Sequence, residues 1–157
     1  MTGIVGDDTT ILVRLLDYPL AIGQQTSQHY EEVMREFALL VATGRALPGS
    51  VPERVLTLVA ALGERRARNN ELEDRRAAAL ARGETGAHFE LQIPPSVAAI
   101  SHELEACLDE ADDLCRRGEV LTLAPSDEVI AFRRWYLDEL VRQVGGGDPV
   151  AWPGEPA

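Results

Sequence analysis

Apolar positions recur every three to four residues through most of this chain, and only two short stretches read as strands. Thr10 to Leu16 (TILVRLL) is an apolar run with Arg14 inside it, and it stops at Asp17-Tyr18-Pro19. That predicts a strand leading into a proline-started helix. From about Leu20 to Thr43, Ile22, Tyr30, Val33, Met34, Phe37, Leu40 and Val41 fall on one side at helical spacing. Glu31, Glu32, Arg35 and Glu36 fall on the other, so the segment predicts an amphipathic helix.

Ser50-Val51-Pro52-Glu53 looks like a capping box, in which Ser50 and Glu53 each satisfy a free backbone donor. The helix it opens carries Val55, Leu56, Leu58, Val59 and Leu62, with a break expected at Asn69-Asn70. The segment from Glu71 to Arg82 has a thin apolar stripe and is expected to project or fray. Ala87 to Ile93 (AHFELQI) alternates Phe89, Leu91 and Ile93 against polar residues and predicts the clearest strand.

Pro94-Pro95-Ser96 opens a helix to about Arg117, whose stripe is Ile100, Leu104, Cys107, Leu108, Ala111, Leu114 and Cys115. Ser126 caps a last helix running to about Val144, which Gly145-Gly146-Gly147 stops. The chain thus twice runs strand, proline, long amphipathic helix, and the two strands have only each other to pair with. The expected fold is mainly α (α+β): a four- to five-helix bundle with a small two-stranded antiparallel sheet. Residues 1–9 read as a flexible N-terminus, 10–144 as a single helical domain, and 145–157 as a loose tail from which Trp152 can dock back.

Composition narrows what such a bundle can do. At 157 residues, with 45% hydrophobic and 26% charged residues, the chain can bury a core without disulfides or metal. Its net charge of -11 argues against nucleic acid and anionic membranes, which need clustered cations. No stretch reads as a signal peptide or a membrane span, which implies the cytoplasm. All 15 basic residues are arginine, so Schiff-base and phosphate-binding lysines are excluded. Cys107 and Cys115 lie about 12 Å apart along one helix and read as core residues rather than a disulfide.

No catalytic, cofactor or metal site emerges. His29, His88 and His102 have no nucleophile or ligand partners at useful spacing, and GxSxG, GxGxxG and HExxH are absent. The chain therefore reads as a binding protein and not as an enzyme. Its most informative residue is Arg133, which falls in the middle of the apolar arc of the last helix, among Val129, Leu137 and Leu140. A guanidinium there needs a partner or a route to solvent. It is either a structural salt bridge to a carboxylate of another helix or an anchor for a ligand or partner acid, with Arg134, Trp135 and Tyr136 beside it. Six acids between Ser101 and Asp113, among them Glu105, Asp109 and Asp112, cover a polar face that reads as solvated or as a dock for a basic partner.

Two segments carry a family likeness: Val13 to Leu40 (VRLLDYPL…HYEEVMREFALL) and Asp109 to Gln143 (DEADDLCRRGEVLTLAPSDEVIAFRRWYLDELVRQ). They resemble small uncharacterised actinobacterial proteins that accompany anti-sigma-factor serine kinases and STAS-domain antagonists. The resemblance implies a companion of such a kinase or antagonist, in partner switching. It does not imply the kinase itself, because the ATP-binding helix asparagine and Asp-x-Gly-x-Gly loop are missing. The expected function is a regulatory protein-interaction module, with a homodimer left open. The alternative is a small-molecule sensor holding an anionic ligand in an inter-helix pocket near Arg133.

Overall fold

The two stretches of strand character do pair with each other. The computed structural model describes residues 9–65 and 70–154. Its elements are β1 (Ile11–Pro19), α1 (Leu20–Ala42), α2 (Val51–Arg65), α3 (Asn70–Ala81), β2 (Gly86–Ile93), α4 (Ser96–Arg116) and α5 (Asp127–Val144). β1 and β2 form a two-stranded antiparallel sheet, with Val13 opposite Leu91 and Leu15 opposite Phe89. These four side chains are buried against the helices, while Arg14 and Glu90 pair at 3.2 Å on the open face. The fold is mainly α with a small sheet, as the periodicities imply, and no described helix is long and apolar enough to cross a membrane.

Asp17-Tyr18-Pro19 does not end β1. The register slips between Leu15 and Tyr18, and Asp17 sits at φ 55, where an aspartate is among the tolerated residues. Its backbone N–H donates to His88 Nδ1 at 3.0 Å. The inserted residue returns Tyr18 to the buried side, where its ring meets Phe89 and Phe132 edge-on. Gly23 makes room for that ring: a Cβ there would lie 2.4 Å from Tyr18 Oη.

Other expectations shift in detail. The capping box does not form: Glu53 accepts from Gly49 N at 2.9 Å rather than from Ser50 N, which donates to Leu47 O at 3.1 Å, and the Ser50 hydroxyl is buried without a partner among the described residues. α3 does not project; it buries Leu72 and Ala79 and packs on α1 and β2. The break expected at Asn69-Asn70 falls at residues 66–69, which lie outside the described residues, as do residues 1–8 of the expected flexible N-terminus. Val41, in the last turn of α1, is exposed rather than part of the buried stripe.

The tail is not loose as far as Gly154. Trp152 N donates to Leu16 O at 2.9 Å, and its ring packs on Phe132 and Trp135. The Gln143 amide both donates to Arg14 O and accepts from Arg14 N, each at 2.8 Å. Together Gln143 and the tail occupy the outer edge of β1, where a third strand would otherwise pair. Glu139, 1% exposed, accepts from Gln143 and Val150 N and pairs with Arg142, which anchors the tail to α5.

Candidate binding cleft

Arg133 enters the interior from α5, as its place in the apolar arc requires, and is 3% exposed. Its Nη1 donates to Asp112 Oδ2 at 2.5 Å and to Tyr30 Oη at 2.7 Å, and its Nη2 donates to Asp109. Tyr30 passes its own proton on to Asp112 Oδ1 at 3.2 Å. One guanidinium thereby ties α1, α4 and α5 together. Burial works against its charge, but Tyr30 and Asp112 outweigh that and hold it firmly protonated. Burial also pushes the Tyr30 phenol well above its ordinary range.

Asp112 overturns one expectation outright. The residue assigned to a solvated polar face is 2% exposed, because α5 packs on that flank of α4 and brings the arginine that neutralises it. Asp109 is half-exposed and also accepts from Arg134 at 3.3 Å. Of the other acids on α4, Glu110 pairs with Arg54 at 2.8 Å and Asp113 with Arg116 at 2.8 Å. Glu105 is half-buried, and burial raises its carboxyl above the ordinary value. The continuous acidic face expected from the sequence is therefore largely spent on internal pairs.

Arg133 also stands in the wall of a cleft of about 800 Å³. α1 forms one side with Gly23, Thr26, Ser27, Tyr30, Glu31, Met34, Arg35 and Ala38. Those positions are one helical stripe, so the cleft follows α1 for about 22 Å at 1.5 Å per residue. Leu56, Val59 and Leu62 of α2 and Leu72, Glu73 and Arg76 of α3 face it, and Leu104, Leu108, Phe132, Tyr136 and Leu137 of α4 and α5 lie beneath. Volume and lining match the usual form of a small-molecule site, mostly apolar with a few polar groups.

Of the sequence-derived candidates, Arg133 and Tyr136 line this cleft, and Asp109 and Asp112 stand behind Arg133. Arg134 is exposed beside Asp109. Trp135 turns the other way, donating from Nε1 to Val150 O at 2.9 Å within the aromatic cluster. The residue missed is Arg76. Its Nη1 donates to Tyr18 Oη at 3.2 Å and Gly23 O at 3.4 Å, both neutral oxygens. Nothing in the polar run around it marks it locally.

The remaining histidines stay apart: His88 and His102 are exposed, and burial lowers the His29 pKa. Among the described residues no His, Cys, Asp and Glu side chains gather as a metal site. No family model, curated protein or solved structure matches this chain.

Proposed function

We propose that this chain is a non-enzymatic regulatory module of the cytoplasm that works by binding, and that the cleft beneath α1 is its site for a small, largely apolar molecule. The observation that supports this reading is the cleft itself: about 800 Å³ of largely apolar-walled space between the helices. A ligand held there bridges all five helices and stabilises the fold by mass action. Thermal melting against a chemically diverse compound library tests it. Compounds that raise the Tm of the wild type should leave Ser27→Trp, which fills the cleft from α1, unmoved. Equal shifts in both proteins, or none in the wild type, sink the reading.

A specific observation supports a second reading, a protein partner. Leu121 and Leu123, in the connection between α4 and α5, are 92% and 83% exposed. Glu36 holds this segment by accepting from Leu121 N at 2.5 Å, Thr122 N at 2.8 Å and Thr122 Oγ1 at 2.7 Å. Two leucines presented on a fixed loop are suited to a partner's apolar pocket. By the family resemblance, that partner is an anti-sigma kinase or its antagonist. Binding to such a purified partner should be lost in Leu121→Asp/Leu123→Asp; binding that survives the double substitution removes the loop from consideration.

A further inference from the structure

We infer that the ligand of the cleft is a straight-chain fatty carboxylate, its head group held by Arg76 and its chain laid along α1. The inference rests on reading the cleft as a small-molecule site. Its first support is the state of Arg76. Among the described residues, eight arginines pair with a carboxylate. Arg76 is half-buried in the cleft wall and has no carboxylate partner among the described residues. Both of its hydrogen bonds leave from Nη1, so the Nε–Nη2 side of the fork is left without an acceptor among them. That side matches the two oxygens of a carboxylate.

Charge and shape narrow the class further. Glu31 and Glu73, both exposed, also line the cleft, and Arg35 is exposed as well. A dianion such as a phosphate monoester would face both acids with a single half-buried counter-charge, whereas a monoanion is matched by Arg76 alone. Arg133 cannot take that part, since Asp109 and Asp112 already neutralise it. Beyond Arg76 one side of the cleft is aliphatic, with Met34, Leu56, Val59, Leu62 and Leu72, while Tyr30, Phe132 and Tyr136 line the other. A cleft that follows α1 for about 22 Å with an aliphatic side along it suits a flexible alkyl chain better than a compact ring system.

Calorimetric titration of the full chain with decanoate and with 1-decanol, below their aggregation limits, tests the head group and the cleft separately. Decanoate should bind at least tenfold tighter than decanol. In Arg76→Gln that preference should fall to parity while decanol affinity is kept, which also shows that the cleft is intact. Ser27→Trp should abolish both. Equal binding of the two probes to the wild type, or a carboxylate preference that survives Arg76→Gln, overturns the head-group assignment and leaves the cleft standing as a binding site. Failure of both probes to bind overturns the fatty-carboxylate inference, while the reading of the cleft itself then stands or falls on the library screen.

Discussion

Two arginines line the same cleft in opposite conditions. Arg133 arrives from α5 with both terminal nitrogens occupied, Nη1 by Asp112 and Tyr30 and Nη2 by Asp109, and only its buried Nε without a partner among the described residues. Arg76 arrives from α3 with one nitrogen occupied, by a phenol and a backbone carbonyl. The first is 3% exposed and joins three helices; the second is half-buried and joins α3 to the β1–α1 corner. Burial alone does not make an arginine a binding residue. An arginine whose charge is matched inside the protein has become part of the frame, and the one left with neutral partners keeps its charge for a ligand.

Breaking the Arg133 side should have the largest effect. Arg133→Leu leaves Asp112 buried and unpaired, so stability should fall by about 3–5 kcal/mol, a Tm loss on the order of 10 °C for a domain of this size. Adding Asp112→Leu should restore much of it, because the cost lies in the stranded carboxylate rather than in the lost attraction. Scanning calorimetry of the two single variants and the double variant measures both. An unchanged Tm in Arg133→Leu would remove the frame role altogether. Tyr30→Phe takes away one acceptor from Arg133 and one donor to Asp112. It should cost about 1–2 kcal/mol in urea unfolding.

Arg76→Gln sharpens the contrast from the other side. Its bonds, at 3.2 and 3.4 Å, are to neutral groups, and no buried charge is stranded by its loss. Stability should change by less than about 1 kcal/mol. A loss as large as that of Arg133→Leu would make both arginines structural, and the distinction between them would collapse.

What could be read from the sequence divides along the same line. The helices and strands follow from local periodicity, and the core position of Arg133 follows from the arc of α5, because each depends on spacing within one element. Its partners do not. Asp112 lies beside Ala111 at the edge of the α4 stripe, and only the approach of α5 decides that this edge is buried. The extra residue at Asp17 was hidden for the same reason: a left-handed aspartate is chosen by the slot that Tyr18 fills, not by its neighbours in sequence. Glu139 and Gln143 look like surface residues of α5, yet they are buried because the edge of β1 and the tail supply their partners. Arg76 carries no signal at all in sequence, since what distinguishes it is the lack of a carboxylate partner among the described residues.

The smallest effect belongs to Glu105, the third acid near Arg133, and its sign is set by burial. Burial raises the folded-state pKa above the ordinary value of 4.5, with Asp109 and Asp138 adding to the shift and Arg133 and Arg134 opposing it. Between the unfolded and folded values the native protein holds a proton that the unfolded chain has released. Stability therefore falls as pH rises through that window, and the full penalty persists above it. Glu105→Gln removes the ionisation while keeping the shape, so at neutral pH the variant should melt slightly higher than the wild type. Below about pH 4 both carry a neutral side chain there, and the difference should vanish. A variant that melts lower at neutral pH would mean that the attraction to Arg133 outweighs desolvation, and would add Glu105 to the acids that hold that guanidinium in place.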